Sequence, residues 1–141
     1  MDEGALPPIG TIMTIENTSD SADAVRDFYS AVMDWEAHPL RTDDYDDYMM
    51  ATPDGQNWVA GICHRRGPNA NQPPGWIPCF RVADLEASLA AAEAQGGKLA
   101  DEIRRFGPNQ RYVVIQDPHG LYVAMMEIIE PMDESSPTNL E

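Results

Sequence analysis

Residues 76–97, WIPCFRVADLEASLAAAEAQGG, contain a complete strand-to-helix unit. Trp76 to Val82 reads as a strand, and Asp84 is a side chain that can cap the first amides of a helix. Leu85, Leu89 and Ala92 follow at helical spacing, and the helix stops at Gly96-Gly97, where a glycine accepts the left-handed conformation. Alternation along the strand puts Ile77, Cys79 and Arg81 on one face, with Phe80 and Val82 on the other, toward the helix.

The same order of signals occurs upstream. Thr11 to Glu16 reads as a strand, Ser19-Asp20-Ser21 offers caps, and Val25, Phe28, Tyr29 and Val32 recur as one buried helical stripe. Strands follow at 36–41, 45–52 and 57–64, with a Pro53-Asp54-Gly55 turn between the last two. The second half repeats this with 98–102, 112–116 and 121–128, and Pro118-His119-Gly120 stands in the corresponding turn. Asp20 and Asp84 are 64 residues apart and Gly55 and Gly120 are 65 apart, so the two halves keep one spacing. The pattern predicts an α+β fold of tandem β-α-β-β-β modules within a single domain over 8–130. Module one covers 8–66, a linker 67–75 and module two 76–130; 1–7 and 131–141 are expected to be flexible tails.

Composition narrows the function. The chain has 141 residues, 9 Lys+Arg against 24 Asp+Glu, and a formal net charge of −15. A polyanion is repelled by this field, and His64-Arg65-Arg66 is too short to reverse it, so nucleic acid is excluded as a partner. The N-terminal residues lack the cationic start and apolar run of a signal peptide, and no stretch is long enough to span a bilayer, so a cytoplasmic protein without a membrane partner is expected. Cys63 and Cys79 have neither CxxC spacing nor nearby paired histidines and read as buried free thiols. There is no Gly-rich phosphate loop, GxSxG elbow or HExxH helix.

Taken in order, Ser19-Asp20, Asp27-Phe28-Tyr29, Asp34-Trp35, the Trp76 to Leu85 run, Ala94-Gln95-Gly96-Gly97 and Asp117-Pro118-His119-Gly120 resemble the vicinal-oxygen-chelate superfamily, which includes glyoxalase I, extradiol dioxygenases and the bleomycin-resistance proteins. The resemblance covers about residues 10 to 130. It implies curved mixed sheets whose concave faces enclose a ligand cavity, with the helices outside.

Most enzymes of that superfamily chelate two substrate oxygens to a divalent metal held by His, Glu or Gln on the first and last strands of the modules. Matched motif to motif, those positions are Met13 or Thr14, Val59 or Ala60, Ile77 and Ala124 in this chain. Hydrocarbon side chains have no lone pair to offer and a single threonine is a poor ligand, so no metal and no other cofactor is expected: the chain resembles a metal-free branch.

The remaining candidates form a pocket. Alternation places Thr14 and Glu16 toward the cavity, with Met13 and Ile15 toward the helix stripe, and Glu16 is the best candidate for a catalytic carboxylate. Tyr48, Trp58, Trp76, Tyr112 and Tyr122 lie on or beside strands, where flat rings can line a cleft; Cys79 and Arg81 share a face, and Arg81 is a partner either for an anionic ligand or for Glu16. His64 should point away from Cys63, His38 and His119 read as exposed, and Asp43 to Asp47 read as a solvated hairpin. The reading is a metal-independent small-molecule binding protein, expected as a homodimer, whose ligand the sequence does not identify; the resemblance to bleomycin-resistance proteins and the acidic charge admit a cationic or aromatic organic compound. Two alternatives are a glyoxalase- or dioxygenase-type enzyme using Glu16 as base or ligand, and an accessory protein-interaction domain.

Overall fold

A computed structural model describes residues 6–129. It contains two helices and nine strands among the described residues, an α+β fold in which each helix follows one strand and precedes several. The chain divides into two compact units, one holding Ile12–Cys79 and the other Pro8–Thr11 with the chain from Phe80 on. Of the tails expected at 1–7 and 131–141, all but residues 6 and 7 lie outside the described residues.

The first unit opens with strand β1 (Ile12–Ser19) and helix α1 (Ala22–Met33), followed by β2 (Glu36–Thr42), β3 (Tyr45–Ala51) and β4 (Trp58–His64). Its sheet order is β2-β3-β4-β1, with β1 and β4 parallel and the other pairs antiparallel. The parallel pair exists because α1 and two further strands intervene, a connection long enough to bring the chain back in the same direction. The predicted turn closes as Gly55 N–H donates to Thr52 O at 2.8 Å, with Gly55 at φ 74°. The linker expected to be irregular carries one 3-10 turn, Gly67–Asn69, before strand β5 (Gly75–Arg81).

The cap of α1 is Ser21, whose side chain makes no capping bond; Asp20 does not cap, and Ser19 Oγ accepts from Ser21 N–H instead at 2.9 Å. The buried stripe also differs from expectation. Ala22 is fully buried and Val25 and Tyr29 pack on Met50, Ala60 and Ile62, but Phe28 and Val32 are 56% and 58% exposed. The short Ala22 lets the start of the helix approach the sheet, which selects the Ala22-Val25-Tyr29 row and turns Phe28 outward.

In the second unit, helix α2 (Leu85–Ala94) is followed by β6 (Lys98–Leu99), β7 (Arg104–Phe106), β8 (Gln110–Gln116) and β9 (Tyr122–Ile128). Strands β9, β6 and β7 all pair antiparallel with β8. The expected strand over 98–102 is only two residues long, and β7 was not foreseen: Arg104-Arg105-Phe106 has no apolar alternation and is held by its ladder to β8. Asp84 caps α2 as predicted, accepting from Ala87 N–H at 3.0 Å. Leu85 is fully buried against Val113, Ile115 and Met125, with Val82, Leu89 and Ala92 beside it. Burial of a side chain of this size stabilises by about 2 kcal/mol.

Candidate functional site

The two faces of the first unit's sheet differ in chemistry. Period-2 alternation sends Ile15, Tyr48, Met50, Ala60 and Ile62 toward α1, and the opposite face receives Glu16, Asp47, Gly61 and Cys63. The parallel register pairs Glu16 with Gly61 and Thr18 with Cys63, and β3 sets Met49 against Gly61 from the other side. Glu16 is half-buried and lies over Gly61: a Cβ added there would sit 3.3 Å from its Cγ and 3.5 Å from its Cδ and Oε2.

Asp47 is 7% exposed and accepts hydrogen bonds from His64 N–H at 2.8 Å and from the Cys63 thiol. Burial raises the Glu16 carboxyl above its ordinary range, and the charge of Asp47 raises it further. Asp47 is raised by burial and held back by the His64 N–H. Burial, then Glu16 and Asp47, push the Cys63 thiol well above the usual thiol range, and burial followed by Glu16 pushes Cys79 up to about 12. Both thiols therefore remain protonated at neutral pH and are poor nucleophiles. Among the described residues no hydrogen bond reaches the Glu16 carboxyl, which leaves it available to a ligand as proton donor, proton acceptor or counter-charge.

The sequence-derived site residues separate into distinct places. Thr14, Glu16 and Cys79 belong to the first unit, with Glu16 and Cys79 within each other's electrostatic reach. Tyr48 and Trp76 are on the helix side instead. Tyr48 Oη donates to Asp23 at 2.7 Å under the Arg26 guanidinium, and Trp76 Nε1 donates to Tyr29 Oη at 3.0 Å. Trp58 is exposed and meets His38 edge to face at 5.2 Å. Arg81, Tyr112 and Tyr122 belong to the second unit; Arg81 and Tyr112 are half-buried, and Tyr122 is exposed opposite Gln116. His64 points away from Cys63, with its Nε2 3.5 Å from Asp23. His38 is half-buried and bonds to Glu36 at 2.7 Å, and His119 is exposed in its turn.

Asp47 is the residue that sequence reasoning missed. It was grouped with a solvated hairpin, which holds for Asp43, Asp44 and Asp46, but β3 begins at Tyr45 and alternation turns Tyr45 and Asp47 inward together. The strand expected over 45–52 already begins at Tyr45, and carrying its alternation through to Asp47 identifies it.

Among the described residues, the acidic donors that come within 4.8 Å of one another as a group of three are Asp84, Glu86 and Glu127. Arg111 bonds Glu86 twice at 2.8 Å and Glu127 at 2.7 Å, while Glu127 also accepts from Leu85 N–H at 3.0 Å. This group closes the N-terminus of α2, with Arg111 as its counter-charge.

Comparison with known proteins agrees with this arrangement of elements. The sequence profile of the Glyoxalase/Bleomycin resistance protein/Dioxygenase superfamily matches residues 12–125. No curated protein matches the sequence. Among solved structures, methylmalonyl-CoA epimerase from Mycobacterium tuberculosis is 20% identical, with a TM-score of 0.52 over 96% of this chain and 98% of that one. A superfamily member from Vibrio splendidus 12B01 is 18% identical with a TM-score of 0.55, over 84% of this chain and all of that one. Glyoxalase I from Zea mays is 16% identical with a TM-score of 0.56, over 89% of this chain and 46% of that one. At these identities the likeness is one of fold.

Proposed function

We propose that this chain, which belongs to the Glyoxalase/Bleomycin resistance protein/Dioxygenase superfamily, binds a small organic molecule without a resident metal, on the face of the first unit that carries Glu16. The observation that carries the reading is the Glu16 carboxyl itself: half-buried, its pKa raised by burial and then by the charge of Asp47, and unmatched by a hydrogen bond among the described residues. A group in that condition costs folding free energy, and a ligand that pairs with it recovers the cost. Metal independence rests on the donor set. Met13 or Thr14, Val59 or Ala60, Ile77 and Ala124 occupy the matched ligand positions, and these offer at most one neutral hydroxyl.

Elemental analysis of the purified protein together with a ligand-screened melting curve tests this. The expected result is no stoichiometric divalent metal after dialysis, and a compound that raises the melting temperature of the native chain but not of Glu16→Gln. Retained zinc, nickel, iron or manganese at one ion per chain would overturn the reading.

The raised Glu16 carboxyl favours one second reading, in which it moves a proton to or from the bound molecule as a general acid or base. Turnover of a screened compound that Glu16→Gln abolishes without weakening its binding would select that reading over simple sequestration.

A further inference from the structure

The ladder of the first unit sets two neighbouring rows of residues on the face that carries Glu16. One row holds His38, Met49, Gly61 and Glu16 on β2, β3, β4 and β1, and the next holds Glu36, Ala51 and Trp58. Residues opposite one another in a sheet point to the same side, so Glu36 and His38 share the side of Glu16. Trp58 joins them through a bulge. Where β3 advances by one residue, from Met50 to Ala51, β4 passes from Ala60 to Trp58. Val59 is the extra residue, and it packs with Ala60 on the α1 side. Unbroken alternation would send Trp58 to that side too; the bulge re-aims the indole onto the Glu16 face. The small Ala51 leaves room there for the Trp58 and His38 rings to meet edge to face at 5.2 Å. His38 Nε2–H donates to Glu36 Oε1 at 2.7 Å, which fixes the imidazole from a second direction, and among the described residues no hydrogen bond engages its Nδ1.

Three strand spacings of about 4.8 Å separate His38 from Glu16, roughly 14 Å between their Cα atoms. The Glu16 side chain lies over Gly61, where a Cβ would sit 3.3 Å from its Cγ. The carboxyl and the imidazole are therefore about two spacings apart, roughly 10 Å. Between them in the row are Gly61, which has no side chain, and Met49, half-buried and apolar. The row is polar at both ends and apolar in the middle.

Resting on the function proposed above, we infer that His38, held in place by Glu36 and Trp58, is a second recognition point of the Glu16 site, and that the site takes an uncharged linear molecule with a hydroxyl or amide at each end and hydrocarbon between. An amide or hydroxyl both donates and accepts, so it pairs with a carboxyl or an imidazole in either protonation state. A molecule polar at one end only covers Nδ1 without pairing it, which costs binding free energy.

NMR titration of the full chain with adipamide, a straight diamide, and with hexanamide, the one-ended amide of the same length, tests this. Adipamide is expected to bind at least tenfold more tightly, and to move the His38 ring and Trp58 indole signals together with that of the Glu16 carboxyl. The ratio of the two affinities should fall to about one in His38→Ala, and should fall as well in Trp58→Leu. A merely structural role for either residue would weaken both amides alike and keep the ratio. Equal affinities in the native chain, binding of neither amide, or a ratio that survives either substitution would overturn the inference. If the amides fail in one of these ways while a screened compound binds and is lost in Glu16→Gln, the second recognition point falls and the function proposed above stands. If Glu16→Gln changes the binding of nothing, both fall.

Discussion

Glu16 and its neighbours show how a carboxyl drawn out of water lowers stability at the scale of single residues. The folded chain raises the Glu16 carboxyl above its ordinary 4.5, so the stability held by its protonated form is fully present below that pH and is lost as pH rises from there through the raised folded value. Glu16→Gln is therefore expected to melt above the native chain at pH 7, with the advantage shrinking toward pH 4; a lower melting temperature at pH 7 would contradict the assignment of burial as the main cause. The thiols give an independent check. With Cys79 pushed up to about 12 and Cys63 raised as well, iodoacetamide at pH 8 should modify both at least about a hundredfold more slowly in the folded chain than in urea, followed by mass spectrometry. Fast labelling of either would mean that its surroundings are wetter than the packing around Glu16 indicates.

The scale of elements explains why two helices of similar place in the chain are secured differently. Helix α2 is fastened at its start by Asp84 and by the Glu127 carboxylate on Leu85 N–H, so Asp84→Ala is expected to cost about 1 kcal/mol in urea unfolding. Helix α1 has no side-chain cap and is attached through its flank, by Tyr48 to Asp23 and by Tyr29 to Trp76. Its C-terminal residue Asp34 is held at φ 61°, a conformation unfavourable for a residue with a Cβ, and Asp34→Gly should stabilise by about 1 kcal/mol in the same measurement. A loss on that substitution would show that the Asp34 side chain makes a contact worth more than the strain.

The whole molecule carries a net charge of −15, and at that scale self-repulsion opposes compaction. Raising salt from roughly 0.01 M to roughly 1 M shortens the screening length about tenfold, so the melting temperature should rise over that range in scanning calorimetry. A flat melting temperature would mean that the local pairs Arg111 with Glu86 and Glu127, Arg104 with Asp101, and Arg26 with Asp27 already balance the excess. Among the described residues no helix is long and apolar enough to cross a membrane.

How much of this was legible in the chain follows from the range of the forces involved. Helices, hairpin turns and their repeat are local: Asp84 three residues from Ala87, or Gly55 three from Thr52, bring their partners with them, and a reading of short spacings recovers them. The family likeness was legible for the same reason, as an order of such local signals. The alternation that turns Glu16 away from Ile15 is also a property of one strand. What Glu16 meets on that face is not. Gly61 is 45 residues away, Asp47 is 31 and Cys79 is 63, and they converge only when β1 slots parallel beside β4 at one register. The face chosen by Tyr48 and Trp76 was decided in the same way, by the hydroxyl and ring of Tyr29 and the carboxylate of Asp23 on α1. Helices, turns and family were determined by the sequence alone because neighbours in the chain enforce them; strand β7 and the candidate site were decided by tertiary pairing, because ladders, burial and charge act through space between residues the chain keeps apart.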